Sequence, residues 1–284
     1  MNHQATSTSI QILATPSPSH LQVATAWLAA QESQNPNLEI ALHLLLQGEI
    51  IPHERGGLVA LAFVGEFSPS SIRGVVRARS GNTNVSMVAT DPIAAERLFS
   101  LISARGCPQR LCADGQTKAW IHPLLLQHYH LQREYDQQVL ICTHAPTGAA
   151  GRWAEPRDKA ALQAYAAAYL AERGSGSLDY PWDQWIQQRR VAVLEHEGQI
   201  VAVVRRGETA RCAIVVAPLT FPQFRRQGFA RRLLAFFVQE MLQAFPAVKL
   251  WVDEDNTAAI SLYQSLGFQA IGTCYTGYFS EHCS

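Results

Sequence analysis

The segment Phe224–Arg232, FRRQGFARR, constrains this chain more than any other stretch. It follows an apolar run, Ala213–Ala217, and opens a helix-patterned run, Leu233–Leu242. A strand that empties into an arginine-flanked glycine at a helix start builds a cradle for an anion. The first helical turn leaves backbone N–H groups without intrahelical acceptors, and the helix dipole favours negative charge there. Gly228 lacks the Cβ that would hold a phosphate off the main chain. Arg225 and Arg226 add charge-assisted donors. Neither the Gly-Lys-Ser/Thr ending of a nucleoside triphosphate loop nor the three-glycine dinucleotide fingerprint is present. A solvated basic helix start is the competing reading of the segment alone.

A second block lies downstream. Leu250-Trp251-Val252 reads as a strand, and Asp253-Glu254-Asp255-Asn256 leads into a helix over Thr257–Leu266. Asn256 suits the N-cap, Gly267 the residue past the helix end, and Phe268 the apolar contact beyond it. Ala259, Leu262, Tyr263 and Leu266 share one face. Taken by itself, this is a well-capped amphipathic helix with a core tyrosine.

Together the two blocks resemble the GNAT superfamily of acyl-CoA-dependent N-acetyltransferases. Arg225-x-x-Gly228-x-Ala230 matches the coenzyme signature Arg/Gln-x-x-Gly-x-Gly/Ala, with alanine at its last position. Asn256, Ala259, Leu262, Tyr263, Gly267 and Phe268 match Asn-x-x-Ala-x-x-Leu-Tyr-x-x-x-Gly-Phe. The resemblance runs from Arg152 to the C-terminus. It implies acetyl-CoA as acyl donor, no metal, and direct attack on the thioester by a primary amine of a small molecule or peptide. It further implies that the backbone N–H groups of Arg226, Gln227, Gly228, Phe229, Ala230 and Arg231 hold the pyrophosphate, with Arg225 and Arg231 assisting. The backbone of Leu219 and Thr220 would meet the pantetheine arm. Pro218 and Pro222 bracket those residues, and proline breaks strand pairing there. Asn256 would bond the coenzyme as well as cap its helix, and Tyr263 would protonate the departing sulfur.

The general base has no such anchor. Where many relatives carry a glutamate on the fourth strand, this chain has Cys212. Asp253, Glu254, Asp255 or a chain of waters are the candidates, and both aspartates also suit a helix N-terminus. His196 falls in a predicted exposed turn. The resemblance implies that the first two helices and the final hairpin of the lobe line the acceptor pocket, which places Tyr180, Trp182, Trp185, Tyr275 and Tyr278 there to clasp an apolar or aromatic amine or a peptide N-terminus. Indoles three apart on a helix equally suit a core.

A chain of 284 residues favours about two domains. His144–Gly151, HAPTGAAG, is the expected linker between lobes 1–143 and 152–284. In the second lobe, helices over Asp158–Ala171 and Trp182–Arg189 precede strands Val191–Leu194, Ile200–Arg205 and Cys212–Ala217. The coenzyme helix, strand Lys249–Val252, the Asn256 helix and two terminal strands, Ala270–Thr273 and Tyr275–Phe279, complete it. That order predicts an α/β fold (α+β, mixed sheet), the tandem GNAT-like acyl-CoA N-acyltransferase arrangement that the resemblance implies. The first lobe repeats the order, with a helix expected over Leu38–Leu46. It reads as a degenerate GNAT-like domain, or else as an unrelated α/β domain. At its equivalent junction Val88-Ala89-Thr90-Asp91-Pro92 runs straight into the helix, with Asp91 as N-cap and Pro92 at the first helical position.

Acidic and basic residues balance at 23 each, so no global charge favours nucleic acid. No stretch reaches the ~20 apolar residues of a membrane span. The start, MNHQATSTSIQIL, lacks a basic region before a long apolar core, so no secretory signal is expected. Six cysteines without CxxC spacing suit reduced thiols and a cytoplasmic protein. The expected partner is therefore an amine substrate, with no nucleic acid or membrane, for a monomer or homodimer. Two other functions stay open: a non-catalytic acyl-CoA sensor or scaffold, and a tandem-GNAT aminoacyltransferase.

Overall fold

Two units divide the chain: Met1–Val139 with Ile271–Ser284, and Leu140–Ala270. The computed structural model describes residues 9–34, 56–174, 177–208 and 212–282; the helix expected over Leu38–Leu46 lies outside them.

The first unit contains β1 (Ile10–Leu13), α1 (Pro18–Gln34), β2 (Leu58–Val64), β3 (Ile72–Ala78), β4 (Val85–Ala89), α2 (Pro92–Ser103), β5 (Arg110–Asp114) and α3 (Gly115–His128). It also takes most of β6 (Tyr129–Cys142) and of the last strand, β12 (Gln269–Glu281). Its strand order is β1-β2-β3-β4-β5-β12-β6. Strands β1 to β4 pair antiparallel in succession, and β4 pairs parallel with β5. Alternation along each strand feeds two cores. Ala60, Val76 and Met87 meet Leu98, Phe99 and Ile121 of α2 and α3, whereas Leu61, Val75 and Val88 meet Trp27 and Leu28 of α1.

The two terminal strands expected from sequence are one continuous strand, β12. Its register against β5 runs from Cys274↔Asp114 to Tyr278↔Arg110. Residues Ile271–Ser284 accordingly group with the first unit, not with a lobe spanning 152–284. The local cause is that Gly272-Thr273-Cys274 holds no turn signal strong enough to interrupt the ladder, while Tyr275 and Phe279 enter the first unit's core.

The second unit contains β7 (Arg152–Trp153), α4 (Lys159–Arg173), α5 (Trp182–Gln187), β8 (Val191–His196), β9 (Gln199–Glu208), β10 (Cys212–Thr220), α6 (Phe229–Leu242), β11 (Ala247–Asp253) and α7 (Thr257–Ser265). The order is β11-β10-β9-β8-β7. Three antiparallel pairings followed by one parallel pairing repeat the succession of β1 to β5. On one face α6 buries Leu233, Leu234, Phe237, Val238 and Met241 against Ala213, Val215, Val248 and Leu250. That 3.6-residue stripe is what sets the helix across the sheet. On the other face Leu162, Tyr165 and Trp182, from α4 and α5, cover Val191, Val193, Val203 and Leu219.

Buried Asp158 anchors the start of α4. Its carboxylate accepts from Arg152 Nη1 at 2.6 Å, Arg152 Nη2 at 3.0 Å and the Glu155 N–H at 2.8 Å. The Arg152 guanidinium holds it below the ordinary carboxylate range. A depressed carboxylate contributes stability that is full above its unfolded value and lost as pH falls through the folded one. Asp158→Asn is therefore expected to cost roughly 1–2 kcal/mol at neutral pH and to flatten the acid limb of the stability curve. Urea unfolding at several pH values checks this; a loss independent of pH would contradict it.

Candidate functional site

The cradle predicted at Gly228 has the backbone an anion site needs. A short 3₁₀ turn, Pro222–Phe224, follows β10, and the chain then enters α6 through two left-handed residues, Arg226 (φ 63°) and Gly228 (φ 77°). Gly228 is the N-cap and supplies no side-chain acceptor to the first helical turn, so its N–H groups remain available. A Cβ on Gly228 would meet no protein atom within 4 Å. Packing does not demand glycine here; the positive φ and the open approach above it do. The same junction in the first unit is closed. There Asp91 caps α2 by accepting from the Ala94 N–H at 3.0 Å, with Pro92 at the first helical position.

The arginines divide the work around this loop. Arg225 donates from Nε to the Thr220 carbonyl at 3.0 Å and from Nη2 to Glu172 Oε2 at 2.6 Å, which ties the loop to α4. Arg231 lies in reach of the Thr147 and Ser265 carbonyls at 3.4 and 3.5 Å. Arg226, Gln227 and Gly228 are exposed, Ala230 is half-buried, and Phe229 is buried beneath the turn.

Upstream, β10 is broken at the predicted place. Its register against β9 shifts between Val216 and Leu219, and Ala217 adopts φ 49°. A non-glycine residue there costs about 1–3 kcal/mol. Tyr165 of α4 holds it, donating to the Ala217 carbonyl at 2.7 Å. Parallel pairing between β10 and β11 covers only Cys212–Ile214 against Ala247–Lys249, although both strands run on. Leu219 and Thr220 lie beyond that pairing, and the Thr220 hydroxyl is buried without a partner.

Helix α7 carries Tyr263 between two caps. Asn256 Oδ1 accepts from the Ala259 N–H at 3.1 Å. At the far end Gly267 (φ 89°) reverses the chain so that the Phe268 N–H donates to the Tyr263 carbonyl at 3.1 Å. Phe268 then packs edge-on against the Tyr263 ring, centroids 5.8 Å apart. Burial pushes the Tyr263 phenol well above its ordinary value; Tyr169, Arg173 and Asp253 act on it through charge and not through a hydrogen bond. A buried phenol kept protonated, with its O–H uncommitted, is equipped to donate a proton.

Residues 159–268 match the Acetyltransferase (GNAT) family. That segment spans the cradle, the broken strand and the tyrosine helix. It is a GNAT-family domain. The chain is also 29% identical over 189 residues to the mycothiol acetyltransferase of Streptomyces griseus subsp. griseus, an alignment over 60% of this chain and 61% of that protein. The chain thus spans about three fifths of the length of the curated relative it matches. Two solved structures share the fold. The GCN5-related N-acetyltransferase from Sphaerobacter thermophilus has a TM-score of 0.62 at 16% identity, covering 95% of each chain. A tandem GNAT protein from the clavulanic acid biosynthesis pathway has a TM-score of 0.52 at 13% identity, covering 97% of this chain and 99% of its own.

Within the GNAT domain the base candidates separate. Asp253 is buried and already committed to an ion pair with Arg173 Nη1 at 2.6 Å. Glu254 and Asp255 are exposed in the turn before α7, and Cys212 is buried at the start of β10. His196 ends β8 with an exposed ring 4.9 Å from that of Phe229. Among the described residues no three His, Cys, Asp or Glu side chains form a metal site, and no helix is long and apolar enough to cross a membrane.

The aromatic set expected to line one acceptor pocket is divided between the two units. Tyr180, Trp182 and Trp185 do cluster, with centroids 5.0–5.5 Å apart. Tyr275 instead lies in the first unit's core, and Tyr278, half-buried in the same unit, has the Arg133 guanidinium 4.1 Å from its ring centroid. The continuous course of β12 is the reason. Sequence reasoning missed Tyr165, Tyr169 and Arg173, which succeed one another at four-residue intervals along one face of α4. It also missed Arg205, whose guanidinium sits 4.6 Å from the Tyr180 centroid and 5.5 Å from that of Trp185.

Proposed function

We propose that the protein is an acetyl-CoA-dependent N-acetyltransferase that acylates a primary amine of a small molecule or peptide. The observation that carries this reading is the uncapped start of α6, with left-handed Gly228 open to solvent, in the same unit as the buried and uncommitted phenol of Tyr263. Acetyl-CoA, when bound, supplies an acyl group activated as a thioester. Backbone N–H groups from Arg226 to Arg231 fit its diphosphate, and Arg225 keeps their loop in shape. The edge that β10 turns toward β11 at Leu219 and Thr220, beyond the parallel pairing of those two strands, fits the amides of the pantetheine arm, and Asn256 borders the same end of the sheet. Tyr263 holds the proton that the leaving thiolate takes up.

Asp253 is committed to Arg173, and Glu254 and Asp255 sit exposed in the turn before α7, so water carries the amine proton away. Positioning then supplies most of the rate. The first unit, whose strand succession matches that of the second, is a degenerate GNAT-like lobe in which Asp91 occupies the cradle. The cysteines among the described residues form no disulfide, which suits a reducing compartment such as the cytoplasm.

The test is thiol release from acetyl-CoA in the presence of a primary-amine panel, with the N-acetylated product identified by mass. Release that depends on the amine is expected. Acetyl-CoA binding without turnover on any amine would favour a sensor or scaffold. Strongly salt-dependent RNA binding would favour an aminoacyl donor.

A further inference from the structure

The geometry points to an acceptor that carries, besides its amine, an anionic oxygen group, a carboxylate or a phosphate, received by Arg205. This rests on the transferase reading above and names its substrate class. Arg205 stands on β9 opposite Val216, one residue before the left-handed Ala217 in β10. Its guanidinium lies against three aromatic rings, with centroids 4.6 Å away for Tyr180, 5.5 Å for Trp185 and 6.0 Å for Tyr169. Tyr169 in turn is near enough to Tyr263 to act on its phenol. Tyr169 is thus common to the surroundings of Arg205 and of the proposed acid.

Three arginines on or beside these elements have carboxylates. Arg173 pairs with Asp253 at 2.6 Å, Arg206 with Glu208 at 2.9 Å and Arg225 with Glu172 at 2.6 Å. Among the described residues no carboxylate lies within 4.0 Å of Arg205, and its Nε is buried without a hydrogen-bond partner. A guanidinium keeps its charge at any working pH. Stacking on aromatic faces offsets part of the desolvation of that charge but accepts none of its N–H groups. Those donors lie in the guanidinium plane, where their fork matches two oxygens of a carboxylate or phosphate. An acceptor with its amine near Tyr263 and its anion at Arg205 would neutralise the charge and satisfy the donors in one step. A purely apolar amine would leave the charge unmatched, with the Tyr165 hydroxyl alone beside its donors.

The test uses the full chain and primary amines presented in matched forms, as free acid, as amide and as the aminoalkyl phosphate. Two readouts are taken: kcat/KM for thiol release, and quenching of Trp182 and Trp185 fluorescence when each amine is added to CoA-loaded protein. Free acids or phosphates are expected to outperform the amides by at least about tenfold. Comparing acid with phosphate series tells which anion is used. Arg205→Met should erase the preference by weakening only the anionic members, Arg205→Lys should retain part of it, and acetyl-CoA affinity should stay within about twofold in both.

Amides performing as well as acids in the unmodified protein would overturn the inference. So would an Arg205→Met protein, still folded, that loses both series alike, or a panel in which nothing binds. If the unmodified protein failed to bind acetyl-CoA, the transferase reading would fall. The acid-against-amide comparison by quenching on free protein would still decide the anion site.

Discussion

Gly228→Asp is expected to weaken acetyl-CoA binding by about ten- to a thousandfold while leaving the fold intact. Aspartate tolerates the left-handed region better than most residues, and φ at this position is 77°. A Cβ here meets no protein atom within 4 Å, so packing does not resist the change. The damage falls on the ligand. A carboxylate about 4 Å from a diphosphate charge costs between about 1 and 4 kcal/mol, depending on how well water screens it. It can also accept from the first-turn N–H groups, as Asp91 does in the first unit. A thermal midpoint close to that of the unmodified protein, with the binding isotherm lost, is the expected pair of results. A variant that bound acetyl-CoA normally would remove the cradle from the account.

Tyr263→Phe is expected to lower the turnover rate by roughly a hundredfold with little change in acetyl-CoA affinity. The ring remains to pack on Phe268, so only the O–H is lost. The phenol is raised by burial, and the group is therefore protonated through the neutral range. A group raised on folding contributes stability below its unfolded value, about pH 10 for tyrosine, and that contribution is lost as pH climbs toward the folded value. The phenylalanine variant should therefore resist alkaline unfolding better than the parent. Stopped-flow thiol release and alkaline melts measure the two effects separately. An unchanged rate under single-turnover conditions would mean that the sulfur leaves without this proton.

The parts of the site that were legible in sequence are those set by neighbours along the chain. Glycine before an apolar-periodic run at Phe229, asparagine ahead of Thr257 and Gly-Phe after Leu266 each encode a local dihedral or cap. All three appear as such. The bulge at Ala217 was announced by Pro218, which cannot continue a ladder. What stayed hidden depends on long-range register. The final segment reads in sequence as two strands, Ala270–Thr273 and Tyr275–Phe279, divided at Cys274. Pairing with β5, distant in sequence, makes it one and carries Tyr275 into the first unit's core. Arg205 and Arg206 are adjacent and chemically alike, and they point to opposite faces of β9. Only the placement of α4 and α5 on one face shows that Arg205 meets aromatic rings while Arg206 meets Glu208.

Titration calorimetry of acetyl-CoA into the unmodified protein and into Gly228→Asp bears most directly on the central claim, that main-chain amides at the head of α6 hold the coenzyme's diphosphate. Saturable one-site binding to the first, reduced at least about tenfold in the second, is the predicted result. Equal affinity in both proteins, or no heat of binding in either, would contradict it.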